Sequence, residues 1–331
     1  MALPSSGSIS ASQIALEFGA TPRRNIGAYR ISDSIGTLSG MPLDDGIPQS
    51  GAISFSDFRG KRLNIVVPFY GGTRVNSRTY YNNGLAYCVG RLRGRPDSSS
   101  GTKVYINPTG GYFASDKGSL ANCAIVTGYW DNDTTLFVEI GSGCQIYGAG
   151  GDGGHGGNDV SDGGFGSSGL GIQHPAVVNN RGYIQSGYGG GGGGGYALTQ
   201  YQTGGGKKGP RVDHTETSSG GGGGGGAGYP QGAGGPAGTG GAGAGNGSGA
   251  TTTVRGGGGG GGSTQYSRGG AGGAGGDPNS APQAGESGQG NVTNGPGGNA
   301  GSNGHAIIYV GGTSINNYGS IVGTQTIGTP T

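Results

Sequence analysis

Hydrophobic and polar residues follow two patterns along this chain, and each predicts a different kind of structure. Between residue 62 and about residue 147, short apolar runs alternate with Gly, Asn, Asp, Pro and Ser, which is typical of short β-strands joined by turns. The runs are RLNIVVPFY, GLAYCVGRL, TKVYINP, NCAIVTGYW, TLFVEIG and CQIYG. We therefore predict a small β-sandwich or β-roll over residues 62–145, with Trp130 packed in its core or at its rim.

The first 61 residues contain an internal echo, SGSISASQI at 6–14 and SGAISFSDF at 50–58. In each copy a serine is followed three residues later by a polar residue, Gln13 after Ser10 and Asp57 after Ser54, which is the pattern of a helix-capping box. Each copy predicts a short helix, ended by Gly19 or Gly60. A module of this size buries little apolar surface, so we expect it to dock onto another body. The alternative is a cap on the next domain.

From residue 146 onward, glycine replaces the apolar pattern. The chain has 89 glycines in 331 residues, and three runs hold seven in a row, at 189–195, 220–226 and 256–262. An ordered glycine loses much conformational entropy and has no side chain to bury, so its backbone groups must be paired. Glycine costs about 1 kcal/mol per residue in a helix and also weakens strands. The runs therefore favour extended left-handed helices of the polyproline II type, whose backbone groups point outward to neighbours.

Such helices could pack into a layered polyglycine II sandwich, with β elements at 175–189 and 305–323. Collagen is excluded because the triplet in GGAGGAGGD (269–277) is soon lost and proline is scarce, at 15 residues. Tyr, Arg, His and Lys concentrate between the runs, a mix that resembles antibody loops on a rigid framework. We predict that they form a recognition surface; solvated linkers are the alternative. The candidate residues are Tyr196, Tyr201, Lys207, Lys208, Arg211, His214, Tyr266 and Arg268.

Composition excludes several classes of function. The net charge of +2 supplies no basic surface for nucleic acid. No window of about 20 apolar residues predicts a membrane span, and MALPSSGSIS does not resemble a signal peptide. The three cysteines are too far apart for a disulfide framework and are predicted to be buried thiols. They are Cys88, Cys123 and Cys144.

Motifs with catalytic or metal chemistry are weak. The match to G-x-G-x-x-G at 148–153 is expected by chance in a segment so rich in glycine, and no helix can follow it. The four histidines lie far apart and lack partners at zinc spacing. Potential ligands are densest at Asp152, His155, Asp159 and Asp162, where we favour an exposed polar loop over a metal site. We expect no enzyme activity, no metal and no cofactor.

Three features together resemble one protein family. They are the heptaglycine runs, the stretch SLANCAIVTGYWDNDTTLFVEIGSGCQIYGAGGDGGHGG (119–157) with the repeated motif NNxGxI (NNRGYI and NNYGSI), and the N-terminal module ending in SGAISFSDFRGK. The chain resembles the glycine-rich receptor-binding tail-fibre adhesins of tailed bacteriophages. In that family, polyglycine II helices display host-recognising loops. Residues 62–145 match no fibre-attachment domain of the family. Whether the protein is attached to a fibre tip or to the baseplate therefore stays open.

The resemblance implies a mostly β and irregular protein with three regions. Residues 1–61 would form a short-helix anchor to the virion, residues 62–145 the β-sandwich, and residues 146–331 the polyglycine sandwich with its loops. Its partners would be other tail or baseplate proteins and a host surface protein or glycan, at the distal tail of the virion. A homotrimer and a single-chain sandwich both stay open. The alternative functions are a structural tail component and a glycan-degrading tailspike. The residues predicted to attach to the virion are Ile9, Ile14, Ile53, Phe55 and Phe58.

Overall fold

The fold class predicted from the sequence, mostly β and irregular, is confirmed. The computed structural model describes residues 3–18, 25–30, 44, 46–77, 79, 87–88, 103–205, 210–239 and 242–330, with the backbone alone at 28 and 87–88. The helices fully contained in these described residues are one α-helix, α1 (Ala11–Phe18), and two 3-10 turns, Ile26–Tyr29 and Phe55–Phe58. No helix among the described residues is long and apolar enough to cross a membrane.

The strands are short and are numbered here in chain order. They are β1 (Ile65–Thr73), β2 (Val75–Asn76), β3 (Tyr87–Cys88), β4 (Lys103–Ala114), β5 (Cys123–Val126), β6 (Thr135–Ile140), β7 (Cys144–Tyr147), β8 (Ser168–Ile172), β9 (Ala176–Asn180), β10 (Tyr183–Gln185), β11 (Ala197–Thr203), β12 (Val212–Ser218), β13 (Thr293–Asn294), β14 (Ile307–Tyr309), β15 (Ser314–Asn317), β16 (Ser320–Val322) and β17 (Gln325–Ile327).

Both capping boxes start a short helix, as predicted. The Ser10 N–H donates to Gln13 Oε1 at 2.7 Å, and the Gln13 N–H donates back to Ser10 Oγ at 3.2 Å. In the second copy the Ser54 N–H donates to Asp57 Oδ2 at 2.7 Å. Gly60 follows the second helix with a φ of 68°, a conformation that favours glycine. Gly19 lies outside the described residues.

The N-terminal module packs on the β-strands that follow it. Its core contains Phe18, Tyr29 and Phe58 in edge or tilted ring contacts, and Val66 and Tyr105 of the strands complete the same cluster. The buried carboxylate of Glu17 accepts the Leu63 N–H at 3.0 Å. The module is therefore a cap on the strands in this structure.

Most strands form a stack of coils joined in parallel. Each coil contributes up to three strands, one to each face of the stack. One coil consists of β6, β7 and β8, the next of β9, β10 and β14, and the last of β15, β16 and β17. The two halves of β4, with β5, form the coil before β6, and β1 with β2 precedes it. We call this body the β-stack.

Apolar side chains lie above one another inside the β-stack. On one face Ile106 pairs with Val138, which pairs with Val178. On the next face Phe113 pairs with Ile146, and on the third Leu170 pairs with Ile307. These residues are essentially fully buried in one cluster. Trp130 joins the cluster and donates its indole N–H to the Thr127 carbonyl at 2.9 Å, so its predicted packing role is confirmed.

The arrangement of the strands differs from the predicted β-sandwich. The strand positions were correct, but a sandwich packs two antiparallel sheets, whereas these strands pair in parallel from one coil to the next. The β-stack also continues past residue 145, through β8 to β10 and β14 to β17. The alternation of polar and apolar residues indicates which face of a strand is buried. It does not indicate whether the neighbouring strand is parallel or antiparallel.

The repeated NNxGxI motif marks equivalent corners of successive coils. Asn179 and Asn180 pair in register with Asn316 and Asn317. The Asn180 side chain donates to Asn317 Oδ1 at 2.8 Å, and Asn316 donates to Asn179 Oδ1 at 2.9 Å. The stretch EIGSGCQIYGAGG at 139–151 is loosely similar to the motif and belongs to the coil before, where Glu139 Oε1 accepts from the Asn179 side chain at 2.6 Å. The repeat is therefore a polar ladder along one edge of the β-stack.

The glycine-rich segments are inserted twice at the same corner of the β-stack, after β7 and after β10. Within the described residues they form ten extended segments, which we call rods and number in chain order. The rods are 148–157 (rod 1), 161–167 (rod 2), 186–196 (rod 3), 219–228 (rod 4), 230–238 (rod 5), 242–250 (rod 6), 255–262 (rod 7), 268–276 (rod 8), 282–289 (rod 9) and 294–304 (rod 10).

Backbone hydrogen bonds between rods recur every third residue. From rod 1, the N–H groups of Gly151 and Gly154 donate to rod 3, while those of Gly150 and Gly153 donate to rod 5. The whole set of bonds places the rods in three layers, in the orders 5-1-2, 6-4-3-10 and 7-8-9. Rods 3 and 4 lie in the centre, and other rods surround each of them on every side. We call this body the lattice.

The position of a rod explains its side chains. A Cβ on Gly192 in rod 3 would overlap the Gly298 carbonyl oxygen, and one on Gly223 in rod 4 would overlap that of Gly191. Most outer rods carry a larger residue where the backbone faces outward, as at Asp152 and His155 of rod 1. Two of the three heptaglycine runs are therefore the central rods, where no face has room for a side chain.

Successive rods alternate in direction. Acceptor numbers rise with donor numbers between rods 1 and 3, so these rods are parallel; they fall between rods 3 and 4, which are antiparallel. The connections therefore alternate between two ends. The β-stack lies at one end. The connections 158–160, 263–267 and 290–293 lie at the other end, together with residues 197–205, 210–218 and 239, and we call this the distal end.

Candidate functional site

A β-hairpin is the largest structure at the distal end. Strands β11 and β12 connect the two central rods and pair over their full length, from Ala197 with Ser218 to Thr203 with Val212. Strand β13 pairs with the base of β11. The Asn291 side chain donates to the Gln200 carbonyl at 2.7 Å and accepts the Gln200 N–H at 2.9 Å. The hairpin is thus fixed to the lattice at its base, while its outer half is exposed.

An aromatic cluster covers one face of the hairpin. Tyr201 and His214 are cross-strand partners, and their rings stack at 5.0 Å with an interplanar angle of 13°. Tyr266, from the connection between rods 7 and 8, packs against Tyr201, with the two ring centroids 4.3 Å apart. The Thr199 hydroxyl donates to the Tyr266 carbonyl at 2.9 Å. Three rings from three chain segments therefore form one rigid group.

Glu216 supplies the charge at the centre of this cluster. Its Oε1 accepts from the Tyr201 hydroxyl at 3.0 Å, and its Oε2 accepts from the Tyr266 N–H at 3.3 Å. Hydrogen bonding, chiefly from Thr264 and also from Tyr201, lowers the pKa of Glu216. The hydrogen bond between the Tyr201 hydroxyl and Glu216 also raises the pKa of Tyr201. The cluster therefore combines the Glu216 carboxylate with the neutral phenol of Tyr201 at neutral pH.

A shallow pocket of 420 Å³ adjoins the cluster, lined by Gln200, Tyr201, Gln202, Asp213, His214 and Thr215. The Thr203 hydroxyl and His214 Nε2 lie 2.6 Å apart at its outer side. The surrounding surface also exposes apolar side chains, with 46% of Val212, 48% of Tyr266 and 52% of Val292 accessible. Exposed apolar side chains beside polar groups are a combination that protein interfaces commonly contain.

The structure brings most of the predicted recognition residues together. Tyr201, His214 and Tyr266 form the aromatic cluster. The Tyr196 ring lies against Gly295 where rod 3 meets the hairpin. Arg211 and Arg268 are exposed at the same end, and the Arg268 backbone exchanges hydrogen bonds with Gln289 at 2.9 and 2.7 Å. Lys207 and Lys208 lie outside the described residues. A role of these residues in receptor binding stays a prediction.

The sequence interpretation missed Glu216 and the threonines around it. In VDHTETS, residues 214, 216 and 218 share one face of a strand, so alternation alone places Glu216 beside His214. The pairing with Tyr201 requires the register of the hairpin, which depends on the number of residues in its turn. The sequence of β12 alone therefore places Glu216 beside His214, but it does not indicate which residues of β11 lie opposite them.

The residues predicted for virion attachment differ in accessibility. Ile14 and Phe58 are buried in the core of the N-terminal module, and Ile9 and Ile53 are partly buried against it. The Phe55 side chain is 45% exposed. Among these five, Phe55 offers the most surface to a partner, and the role in attachment stays a prediction.

The polar cluster of rods 1 and 2 is used for internal contacts. Asp152 accepts from Lys117 at 2.6 Å and from the Ala233 N–H at 2.7 Å, and Asp162 accepts the Asn299 N–H at 2.7 Å. The residues that the structure describes include no group of three or more His, Cys, Asp or Glu that could hold a metal ion. Cys123 and Cys144 are free and buried, and burial raises the pKa of their thiols to about 12 and about 11.

Comparison with known proteins gives one structural similarity. No family model matches the chain, and neither does any curated protein. A chain from the crystal structure of the gp37-gp38 adhesin tip complex of the bacteriophage S16 long tail fiber is similar, at 19% sequence identity and a TM-score of 0.38. The similarity covers 97% of this chain and 99% of that chain.

Proposed function

We propose that this protein is a phage tail-fibre or tail-tip adhesin that binds a host cell-surface receptor through its distal end. We also propose that the lattice is a polyglycine II sandwich and that the N-terminal module, through surface such as Phe55, attaches the protein to the virion. Binding, rather than catalysis, is the proposed mechanism.

One observation carries the proposal. The described candidate recognition residues come from separate segments of the chain, and all of them lie at the distal end, across the lattice from the β-stack. Aromatic and arginine side chains concentrate binding energy at interfaces. The rods on which they stand are tied by backbone hydrogen bonds, so little entropy is lost when the surface is occupied. The period of three residues in those bonds supports the polyglycine II assignment.

Binding of the full chain to intact host cells tests the receptor role. We expect Tyr266→Ala to weaken saturable binding by at least about tenfold, because it removes an exposed ring from the centre of the surface. Tyr129→Ala is the matched control, since it removes a 63% exposed tyrosine that precedes β6 in the β-stack. Equal binding by both variants and the original chain would contradict a distal receptor site.

The second candidate function is a structural tail component, in which the distal end contacts a neighbouring tail protein. The exposed side chains of Val212, Tyr266 and Val292 also fit such a contact. The two candidates separate in one experiment. A receptor adhesin binds cells as a purified protein, whereas a structural component binds none and loses incorporation into virions when Tyr266 is replaced.

A further inference from the structure

A second group of aromatic residues lies at the opposite end of the lattice from the distal end. Tyr112, Tyr147 and Tyr183 stand on neighbouring strands β4, β7 and β10, and Tyr229 comes from the connection between rods 4 and 5. Rod 4 separates this connection from the hairpin by about 28 Å, at 3.1 Å per residue of an extended left-handed helix. The group is therefore independent of the candidate receptor surface. We call it the tyrosine patch.

The rings of the tyrosine patch support one another. Tyr147 is 6% exposed and contacts all three others, with centroid distances of 6.1 Å to Tyr112, 5.5 Å to Tyr183 and 6.3 Å to Tyr229. Tyr112 and Tyr229 also touch, at 6.1 Å. Around this buried centre, 58% of Tyr112 and 40% of Tyr229 are exposed. The exposed rings are thus held in place before any ligand arrives.

Glutamine amides alternate with these rings across the sheet. In one row Tyr112 pairs with Gln145, which pairs with Tyr183; in the next row Tyr147 pairs with Gln185. The Tyr147 hydroxyl donates to Gln145 Oε1 and the Tyr183 hydroxyl to Gln185 Oε1, each at 2.6 Å. Gln185 donates in turn to the Thr252 carbonyl at 2.8 Å. Hydrogen bonds therefore fix the phenols as firmly as the ring contacts do.

In the part of the chain described, the patch contains no acidic or basic side chain among its rings and their hydrogen-bond partners. Burial raises the pKa of Tyr147 to about 12 and also raises that of Tyr183. Gln185 is fully buried, so the groups open to a ligand are the exposed rings, their phenols and the half-buried Gln145. A ligand for this surface must therefore offer apolar faces for the rings and neutral hydroxyls for the polar groups between them.

Neutral saccharides have this combination, because the C–H groups of a pyranose form an apolar face and its hydroxyls project from the edge. We propose that the tyrosine patch is a second binding site, for a neutral saccharide chain that stacks on Tyr112 and Tyr229. It would let the protein hold a surface glycan from the side while the distal end is free. Two linked weak contacts bind more tightly than either one alone.

Saturation-transfer NMR on the full chain tests this site. The probes are neutral oligosaccharides of glucose, galactose and mannose, with heparin as a polyanionic control. We expect transfer to at least one neutral probe. Tyr112→Ala should weaken its binding by about tenfold, because a ring at a binding site is worth roughly that factor. Tyr112→Phe keeps the ring and should retain most of the binding.

Matched variants make the outcome specific. Tyr129→Ala removes an exposed tyrosine elsewhere and should leave saccharide binding unchanged. The proposal is overturned if no neutral probe gives transfer, if Tyr112→Ala binds as well as the original chain, or if heparin binds better than every neutral probe. It is also overturned if Tyr112→Ala abolishes a dimer in solution, because the patch is then an interface between copies of this chain.

Discussion

The interior of the β-stack is filled by side chains, whereas the interior of the lattice is filled by backbone. In the β-stack, side chains such as Ile146 and Val178 fill the interior, and each coil adds one more apolar layer. In the lattice, the interior of rods 3 and 4 contains almost nothing but backbone, and carbonyl oxygens occupy the places where side chains would stand. One body is held mainly by apolar burial and the other by hydrogen bonds between backbones.

The difference determines which substitutions each body tolerates. A core built from side chains can lose a methyl group and keep its shape, at the cost of a cavity. A core built from backbone has no atom to remove, and any added atom must displace a hydrogen-bonded neighbour. The lattice should therefore be more sensitive to additions than the β-stack is to deletions.

The largest effect is expected at the centre of the lattice. A Cβ on Gly192 would overlap the Gly298 carbonyl oxygen, so rod 10 must move away and lose hydrogen bonds. We expect Gly192→Ala to lower the free energy of unfolding by about 4 kcal/mol or more. Chemical denaturation with amide hydrogen exchange measures it. Rapid exchange should be confined to the lattice, and a variant as stable as the original would refute backbone packing.

A deletion in the β-stack should cost somewhat less. Ile146 is fully buried between Phe113 and Ile184. We expect Ile146→Ala to destabilise the protein by about 3 kcal/mol, from lost transfer energy and a residual cavity. Ile327→Ala is the control, because that side chain is 71% exposed in the last coil. Equal midpoints of denaturation for these two variants would argue against the stacked core.

The polar ladder should contribute less than the apolar core. Asn180 is buried, donates to Asn317 and accepts the Gly182 N–H at 3.0 Å. We expect Asn180→Ala to cost about 1–3 kcal/mol, because buried polar groups lose their partners. Replacing the exposed Asn316 by alanine should cost less. If thermal denaturation shows a larger loss of stability for Asn316→Ala than for Asn180→Ala, the buried contact between Asn180 and Asn317 is not important for stability.

The smallest effect, and one of opposite sign, is expected on an outer rod. A Cβ on Gly260 of rod 7 meets nothing within 4 Å, and Gly260 is not among the glycines with a left-handed φ. Gly260→Ala should therefore stabilise the protein by about 0.5 kcal/mol, by restricting the unfolded chain. Thermal denaturation beside Gly192→Ala gives the sharpest comparison, because the chemical change is identical. Destabilisation by more than 1 kcal/mol would mean that rod 7 is not at the surface.

Strand positions and the extended glycine segments could be predicted from the sequence because both depend on local pattern. The stacking of coils could not, since insertions of different length separate the equivalent positions. Asn180 and Asn317 are in register although they are 137 positions apart in the sequence. In the candidate site, Tyr201 and His214 were predicted by residue type. Glu216 was missed because its partners depend on hairpin register and on a connection from another pair of rods.

The alternating rods also determine how a mechanical load would pass through the molecule. Rod 3 runs without interruption from β10 in the β-stack to β11 in the hairpin, so tension on the hairpin is transmitted along its axis. The hydrogen bonds from rod 3 to its neighbours lie across that axis. Such a pull loads them together in shear instead of opening them one after another. The force that the two central rods resist along their axis should therefore increase with the length of their glycine runs.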